Sequence, residues 1–405
     1  MTKENGKPQI RFAKFKDTWE QRKLPEFVSF FNGLTYTPDD VQETGTLVLR
    51  SSNVKNGEIV DADNVYVSDK VATSENVQEG DIIVVVRNGS RALIGKHAQI
   101  KASMPNTVIG AFMSGIRSEY SSFVNALLDT SAFENEVAKN MGATINQITG
   151  YMFSKMEFMI PSEEEQQKIG EYFSNLDNLI TLHQRKYDKL TKVKKSMLEK
   201  MFPKNGTNVP EIRFKGFTDA WEQRKLGNVL VSLQNNTLSR ADLSNESGVA
   251  KNVHYGDVLI KFGEVLDVSK EQFPMILDES VLTKYKASFL QNGDVIVADT
   301  AEDSTVGKCS EIAGLNDEIV LSGLHTIPYR PVENFASGYL GYYLNSDTYH
   351  NQLLPLMQGI KVTSISKSAM QDTDIFYPKS IEEQGKISNY LQALDHLITL
   401  HQRKL

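Results

Sequence analysis

Apolar side chains recur every three or four positions after Pro161, which predicts one long amphipathic helix. Ser162 and Glu165 have the spacing of a capping box, in which the serine hydroxyl and the glutamate carboxylate cap the first turn. Pro203 and Gly206 predict the end of the helix. About 40 helical residues would make a rod of roughly 60 Å. The heptad seam, which the polar His183 and Lys194 interrupt, consists of Ile169, Phe173, Leu176, Ile180, His183, Tyr187, Leu190, Lys194, Met197 and Met201.

The same pattern starts again near the end of the chain, where Ser380 and Glu383 repeat the predicted helix entry. The segment Leu179–Lys186 returns letter for letter as Leu397–Lys404. The seam of this second helix is predicted at Leu394, Leu397 and His401. The copy stops at Leu405, so the second predicted helix is the shorter one. Two such helices side by side would hold two domains at a fixed separation.

A second repeated block precedes each half of the chain. The segment Trp19–Leu24 recurs unchanged as Trp221–Leu226, and each follows an Ile-Arg-Phe tripeptide. We interpret the two tryptophans as packing anchors. The regions between the repeated blocks share almost no sequence. Similar ends around dissimilar middles indicate one architecture used twice to present two different surfaces.

The variable regions carry short apolar runs that predict strands. Asp81–Arg87 reads as a buried strand that leads into a hairpin at Asn88-Gly89-Ser90, and Gly293–Ala298 occupies the matching place in the second half. Further strands are predicted within Leu47–Leu49, Gly57–Val67 and Val258–Val268, and short helices within Ser121–Ser131 and Ala336–Asn345. The predicted fold class is α+β, with a twisted, partly barrel-like sheet and flanking helices in each of two globular domains.

The composition limits the possible functions. The chain has 405 residues, of which 40% are apolar and 23% charged, as in ordinary globular proteins. One cysteine, Cys309, excludes an intrachain disulfide, and the sequence has neither a signal-peptide pattern nor a membrane-length apolar run. We therefore expect a cytoplasmic protein. The net charge is −7, and both variable regions are acidic, so any DNA contact must use local loop patches.

Catalytic motifs are missing from the sequence. Gly95-Lys96 and Gly307-Lys308 lack the upstream glycine spacing of a phosphate-binding loop, so we interpret them as turns. Neither a dinucleotide-binding glycine motif nor the Asn-Pro-Pro-aromatic signature of an amino-methyltransferase occurs. His183 and His401 lie at seam positions, where packing or a register-setting hydrogen bond is favoured over metal binding. The sequence predicts a non-catalytic chain that holds no metal.

The order of these blocks resembles the specificity subunit of type I restriction–modification enzymes. The resemblance rests on the Trp-Glu-Gln-Arg-Lys-Leu segment, a variable domain, the helix entries Pro161–Gln166 and Pro378–Gln384, and a long helix, all of it repeated. It covers the whole chain. The blocks are specific in combination, whereas either alone would only be suggestive.

The resemblance implies two target recognition domains, each reading one half of a split DNA site, with antiparallel coiled-coil helices as the spacer and an internal pseudo-two-fold repeat. It implies double-stranded DNA and two methyltransferase subunits as partners, joined by motor-nuclease subunits in the full complex. S-adenosylmethionine would be held by the methyltransferase subunits, and no cofactor by this chain. Adenine N6 methylation requires the base to leave the stack, so the reader must place a partner's pocket over it.

The predicted organisation has six segments. They are a repeated segment at 1–24, target recognition domain 1 at 25–161, a long helix at 162–203, a repeated segment at 204–226, target recognition domain 2 at 227–379 and a helix at 380–405.

Loop side chains are the candidate DNA contacts, because arginine suits guanine, and asparagine or glutamine suits adenine. In the first domain they are Asn53, Lys55, Arg87, Asn88, Ser90, Arg91, Thr144, Asn146 and Gln147. In the second they are Lys261, Thr300, Ser304, Thr305, Lys308, Lys361, Thr363 and Ser364. The candidate interface for partner subunits and the spacer comprises Ile169, Phe173, Leu176, Ile180, His183, Tyr187, Leu190, Leu394, Leu397 and His401.

Two alternatives remain open from the sequence. An adaptor with two unlike protein-binding domains on a coiled coil would fit the acidic charge better. An enzyme with an unfamiliar site in one variable domain is the other. DNA binding by the purified complex would argue against the adaptor. Methylation or cleavage of DNA by the isolated chain would favour the enzyme.

Overall fold

A computed structural model describes residues 8–141, 146–204 and 206–404. The chain divides into two compact units, Met1–Thr181 and Leu182–Leu405, and their border falls inside one long helix. Each unit is a mixture of short strands and helices, as the predicted α+β class requires.

The described residues of the first unit form twelve strands and the start of the long helix. The strands are β1 (Glu20–Lys23), β2 (Ser29–Asn32), β3 (Val41–Gln42), β4 (Thr46–Leu49), β5 (Val54–Lys55), β6 (Glu58–Ile59), β7 (Val65–Val67), β8 (Ile82–Val85), β9 (His97–Gln99), β10 (Thr107–Ile109), β11 (Met113–Arg117) and β12 (Glu157–Ile160). The α-helices are α1 (Ser121–Leu128), α2 (Ser131–Asn140), α3 (Gly150–Phe153) and α4 (Glu163–Lys200).

Two open four-stranded sheets form the body of the first unit. One runs β2-β11-β8-β9 and is antiparallel throughout, and the other runs β10-β4-β7-β3 with β10 parallel to β4. Strand β8 lies inside its sheet, and all four of its residues are buried, which explains its continuous run of isoleucine and valine.

In the second unit, the part of the chain that the structure describes forms thirteen strands and seven further helices. The strands are β13 (Glu222–Lys225), β14 (Leu230–Ser232), β15 (Leu243–Ser244), β16 (Ala250–Val253), β17 (Val265–Asp267), β18 (Met275–Ile276), β19 (Val295–Ala298), β20 (Thr300–Ala301), β21 (Cys309–Ala313), β22 (Val320–Ser322), β23 (Thr326–Pro331), β24 (Thr363–Ser364) and β25 (Asp374–Tyr377). The helices are α5 (Leu226–Val229), α6 (Tyr255–Ile260), α7 (Glu279–Tyr285), α8 (Tyr339–Leu344), α9 (Asp347–Leu353), α10 (Lys367–Gln371) and α11 (Ile381–Gln402).

The sheets of the second unit repeat those of the first with additions. An open five-stranded sheet runs β14-β23-β19-β21-β17, and a four-stranded sheet runs β15-β18-β16-β22. Strand β19, like β8, is buried at all four positions. The predicted partly barrel-like sheets are therefore open sheets in both units.

The repeated Trp-Glu-Gln-Arg-Lys-Leu segment has the same fold in each half. Its strand β1 pairs antiparallel with β12, which leads into α4, and its strand β13 pairs antiparallel with β25, which leads into α11. The repeated segment therefore fastens the start of each half to the start of the helix that follows.

The long helices confirm the sequence pattern. Helix α4 is continuous over 38 residues, and α11 over 22. Leu190, Val193 and Met197 of α4 pack on the core of the second unit that includes Ile387 and Leu394 of α11. No helix of the described residues is long and apolar enough to cross a membrane.

Two local predictions are only partly confirmed. Strand β17 lies within the predicted strand region Val258–Val268, but the start of that region does not form a strand. Val258–Ile260 belong to helix α6 rather than to a strand, because the His254 side chain accepts the Gly256 N–H and starts a helical turn there. Strands β8 and β9 pair antiparallel, which confirms the predicted hairpin, but their connection extends beyond Asn88-Gly89-Ser90 from Val86 to Lys96 and includes the 3-10 turn Arg91–Leu93.

Candidate nucleic-acid interface

Two loops meet beyond the end of β8, and we name residues 86–91 and 146–148 the first loop pair. The Ile148 N–H donates to the Val86 carbonyl at 2.8 Å, and the Asn88 N–H donates to the Asn146 carbonyl at 3.3 Å. Arg87 and Gln147 form an antiparallel bridge between the two loops. Backbone hydrogen bonds therefore fix side chains that are far apart in the sequence onto one surface.

The side chains of the first loop pair combine cationic, amide and aromatic groups. The exposed Arg87 guanidinium lies 5.1 Å from the centre of the Phe112 ring, and Phe112 is 55% exposed. Asn146 donates through Nδ2 to the Gly89 carbonyl at 3.0 Å. An arginine stacked on an aromatic ring keeps its planar fork ordered for a bidentate acceptor such as a guanine edge.

The second unit has an equivalent arrangement, and we name residues 299–305 and 358–365 the second loop pair. The Ile365 N–H donates to the Asp299 carbonyl at 2.9 Å, and Thr300 pairs with Ser364 through β20 and β24. These contacts match those of Ile148 with Val86 and of Gln147 with Arg87. The two halves therefore build the same backbone framework at the same place.

The chemistry of the second loop pair differs from that of the first. The Thr300 hydroxyl donates to Asp299 at 2.7 Å, and the Thr305 hydroxyl donates to Asp303. The hydrogen bonds from the Thr305 side chain and backbone lower the pKa of Asp303. Ile360 is fully exposed at the tip of the 358–364 hairpin. Hydroxyls, carboxylates and an apolar tip replace the arginine and amide groups of the first loop pair.

Most of the predicted first-domain contacts come together in the first loop pair: Arg87, Asn88, Ser90, Arg91, Asn146 and Gln147. Lys55 is exposed on β5. Asn53 requires a correction, because it is fully buried and its amide binds the Arg50 N–H, the Ala62 carbonyl and Asn64. Its role is to hold a turn. Thr144 lies outside the described residues.

In the second domain Thr300 is paired with Ser364, next to Thr363, through β20 and β24. Ser304, Thr305 and Lys361 lie in the same two segments of the chain. The two other lysines lie differently. Lys308 donates to the Leu259 carbonyl at 2.8 Å, and burial lowers its pKa, so its ammonium is directed inward, which corrects its assignment. Lys261 is exposed but is already held by the Gln272 carbonyl and Glu271.

Several surface residues near the loop pairs were not predicted. Phe112 was missed because an isolated aromatic carries no periodic signal. Gln234 and Lys367 line a polar groove of about 440 Å³ beside Asp299 in the second unit. Only the fold brings residues 234, 299 and 367 together, so no local spacing could have found them.

A buried ion pair holds each repeated segment to its helix, and we name it the repeat clamp. In the first unit Arg11 donates through Nε and Nη2 to the two carboxylate oxygens of Glu165 at 2.7 and 2.6 Å, and the Trp19 indole donates to Glu165 at 3.2 Å. The Glu165 side chain is fully buried. Its carboxylate therefore does not close the predicted capping box with Ser162.

The second unit repeats this clamp. Arg213 donates to Glu383 at 2.6 and 2.8 Å, and the Trp221 indole donates to Glu383 at 3.4 Å. The Ser380 hydroxyl accepts the Glu383 N–H at 3.2 Å, so this half of the predicted capping box is confirmed. The tryptophans are anchors, as predicted. Each anchors by a hydrogen bond to the carboxylate of Glu165 or Glu383, for which the sequence pattern predicts a capping role.

The predicted helix seam is formed in part of the second unit, where Leu394 is buried, whereas Leu397 is 40% exposed. His183 and His401 meet with their Nδ1 atoms 2.8 Å apart, so one imidazole donates and the other accepts. Burial and the positive charges nearby lower the pKa of His401. In the first unit Phe173 and Ile180 are 46% and 50% exposed, so this part of the predicted seam is uncovered within the described residues.

No group of three or more histidine, cysteine, aspartate or glutamate side chains that could hold a metal ion occurs in the described parts of the chain. The single cysteine is buried, and burial raises the pKa of its thiol, which disfavours a reactive thiolate.

Comparisons with known proteins agree with this architecture. The family model of the type I restriction modification DNA specificity domain matches residues 16–192 and 218–405. The EcoKI specificity subunit of Escherichia coli K12 is 22% identical over 403 residues, which cover 94% of this chain and 83% of that subunit. The MjaVIII specificity subunit of Methanocaldococcus jannaschii is 22% identical over 417 residues, which cover 99% and 92%.

Among solved structures, the S subunit of a type I restriction-modification system from M. genitalium aligns with a TM-score of 0.55 at 13% identity, over 98% of this chain and 94% of that one. At this identity the match concerns the fold.

Proposed function

This chain belongs to the type I restriction modification DNA specificity domain family, and we propose that it is the non-catalytic DNA-reading subunit of a type I restriction–modification complex. Each of its two units reads one half of a split target. The proposal rests on the first and second loop pairs, which share a backbone framework but differ in the chemistry of their side chains.

The two loop pairs suit different bases. Arg87, Asn146 and Gln147 offer the donors that guanine and adenine accept in the major groove. Asp299 and Asp303 of the second loop pair can accept from the amino group of cytosine, and the neighbouring hydroxyls can serve either base pair. Two such surfaces read two different half-sites.

Partner subunits supply the chemistry. In this proposal two methyltransferase subunits carry S-adenosylmethionine and methylate adenine N6, motor-nuclease subunits join them, and this chain holds no cofactor. The chain is acidic overall, so the partners provide much of the non-specific attraction to phosphate, and the loop pairs provide the sequence choice.

The test exchanges one reading unit. Residues 227–379 are replaced by the corresponding domain of another family member, and the methylated sites of the reconstituted complex are sequenced. One half of the recognised site should change while the other half stays the same. A change in both halves, or in neither, contradicts the assignment of one unit to each half-site.

A control separates DNA reading from the adaptor alternative. The assembled complex should shift a duplex that carries its target, with an affinity that falls as salt rises. Assembly with the methyltransferase subunits but no duplex binding at any salt concentration favours the adaptor.

A further inference from the structure

Each half carries one exposed ring at the same backbone position beside its loop pair. In the first unit Phe112 comes three residues after β10 and immediately before β11, and in the second unit His325 comes three residues after β22 and immediately before β23. The residue that follows each ring lies opposite the last residue of the buried strand, which is Val85 in β8 and Ala298 in β19. Phe112 and His325 are therefore structural equivalents.

The backbone contacts of the two ring residues also match. The Phe112 carbonyl accepts the Val86 N–H at 2.9 Å, and the His325 carbonyl accepts the Asp299 N–H at 3.1 Å. Val86 and Asp299 are also the residues whose carbonyls accept the backbone hydrogen bonds between the two loops of each loop pair. The framework that joins the loops therefore also fixes the position of the ring.

The backbone at His325 adopts a conformation that favours glycine. Its φ is +56°, in the left-handed region. The turn before it is fixed by the Thr326 hydroxyl, which donates to the Gly323 carbonyl at 2.5 Å, and by the Gly323 N–H, which donates to the Val253 carbonyl at 2.9 Å. A histidine at such a position costs folding stability that a glycine would not, and this indicates that its side chain has a use.

The imidazole of His325 is oriented by contacts on two sides. Its Nδ1 lies 3.5 Å from Asp299 Oδ1, the same oxygen that accepts the Thr300 hydroxyl at 2.7 Å. The Tyr255 ring packs against the imidazole edge to face, with ring centres 5.3 Å apart and an interplanar angle of 77°. Because the Nδ1 edge faces a carboxylate, the proton of the neutral imidazole belongs on Nδ1, and Nε2 is left as an acceptor.

The opposite edge of the imidazole is open. The His325 side chain is 47% exposed, and its Nε2 makes no hydrogen bond to any residue that the structure describes. The second unit therefore presents two neighbouring acceptors, the Nε2 of His325 and the carboxylate of Asp299. In the major groove, the donors that suit such acceptors are the exocyclic amino groups of cytosine and adenine.

We propose that His325 determines sequence specificity in the second unit, and that its Nε2 accepts a hydrogen bond from the amino group of a cytosine or adenine in the half-site that this unit reads. In the first unit the equivalent Phe112 instead orders the Arg87 guanidinium, which lies 5.1 Å from its ring centre. The same ring position supports a reading side chain in one half and contacts a base directly in the other. This inference rests on the proposed function and assigns one base contact within it.

Three substitutions distinguish a base contact from a structural role. His325→Gly removes the ring and suits the backbone conformation. His325→Asn also suits that conformation and keeps a polar atom near the position of Nδ1, but it has no atom at the position of Nε2. His325→Gln places its amide near the position of Nε2. Each variant is assembled with the methyltransferase subunits, and its affinity is measured for the target duplex, identified by methylated-site sequencing, and for every single base-pair change in it.

His325→Gly and His325→Asn should each lower the discrimination at one base pair of one half-site by about fivefold or more, and should leave the other half-site unchanged. His325→Gln should retain most of that discrimination. The melting temperature of the chain with His325→Gly should equal or exceed that of the unchanged chain, because the strained backbone is relieved. Asn106→Gly is the matched control, since it replaces another residue of positive φ (+49°) at an exposed turn of the first unit, and it should keep every base preference.

The inference is overturned if all three variants at position 325 keep full discrimination. It is also overturned if His325→Asn preserves discrimination and His325→Gln does not, because the ring would then serve only to hold Asp299. An equal loss of affinity for all duplexes would make the contact one to phosphate, with the same consequence. These results leave the proposed function intact, whereas equal binding of every duplex by the unchanged complex would refute the proposed function and this inference together.

Discussion

The two halves have the same residues in their repeat clamps but different side chains in their loop pairs. Arg11, Glu165 and Trp19 of one half are matched residue for residue by Arg213, Glu383 and Trp221 of the other, with donor–acceptor distances from 2.6 to 3.4 Å. The loop pairs keep equivalent backbone hydrogen bonds, but their side chains change from arginine and amides to hydroxyls and carboxylates.

This contrast distinguishes the clamp residues, which hold each half together, from the exposed loop residues, which form the proposed reading surface. A buried ion pair tolerates no change of partner, because an uncompensated buried charge is costly. An exposed loop side chain can change with little effect on folding. The same backbone framework can therefore present two chemistries while each half keeps its clamp.

The largest expected effect comes from breaking a clamp. Glu383→Gln leaves Arg213 without its buried counter-charge and should lower the free energy of unfolding by about 4 kcal/mol. Urea unfolding followed by tryptophan fluorescence measures this. Glu382→Gln, at an exposed neighbouring position, is the matched control and should change little. Equal stability of the two variants would mean that the clamp is not a stabilising feature.

The next effect distinguishes the halves by their response to pH. Glu311 of β21 and Gln99 of β9 occupy equivalent strand positions, paired with Val295 and Ile82. The Glu311 carboxylate accepts from the Gly338 and Gly341 N–H groups, and burial raises its pKa to about 7.

A raised carboxyl pKa contributes stability that is complete below the unfolded value and is lost as pH rises to the folded value. Stability of the native chain should therefore fall between roughly pH 4.5 and 7. Glu311→Gln, the residue type of the first half, should remove this slope, worth up to about 3 kcal/mol. Urea midpoints at pH 5 and pH 8 measure it. The exposed Glu302→Gln is the control, and an unchanged slope after Glu311→Gln would contradict the pKa shift.

A smaller effect concerns reading. Arg87→Ala removes the stacked guanidinium of the first loop pair and should cost about 2 kcal/mol of discrimination at one base of one half-site. Methylated-site sequencing of the reconstituted complex shows it as a relaxed position. Lys70→Ala removes the same charge from another exposed site and should leave the sequence preference intact. Thr300→Ala should relax the base preference in the other half-site. If both variants relaxed the same half-site, the two loop pairs would not read different half-sites.

The smallest effect is expected at the histidine pair. Because the pKa of His401 is lowered, stability associated with it is present above its ordinary pKa and is lost as pH falls through the folded value. His401→Gln should flatten this part of the pH profile below pH 6.5 and leave stability at pH 8 nearly unchanged. Thermal unfolding below pH 6.5 and at pH 8 measures this change in stability. His396→Gln, at an exposed position, is the control and should unfold as the unchanged chain does.

Elements with strong periodicity could be predicted from the sequence, and contacts between distant residues could not. The length of α4 and the burial of β8 and β19 followed from their patterns. Val258–Ile260 was assigned to a strand because a short apolar run does not distinguish a helix from a strand.

The candidate interface was only partly predictable for a similar reason. Arg87 and Asn146 were candidate contacts in predicted loops, and the fold brings those loops together. Asn53 carried equally suitable chemistry but is buried, since its amide satisfies a turn. Composition cannot distinguish an amide that faces solvent from one that holds a backbone, because both occur in polar loop sequences.

The border between the two compact units, at Thr181 and Leu182, lies within the continuous hydrogen-bonded ladder of α4 and not in a connecting loop. Proteases cleave chain that can enter their cleft in an extended form, and exposed loop tips meet that requirement far better than a helix does. Limited digestion should therefore nick the loops and leave the halves joined, so that fragments cut by trypsin at arginines and lysines of α4 appear only after the helix itself has unwound.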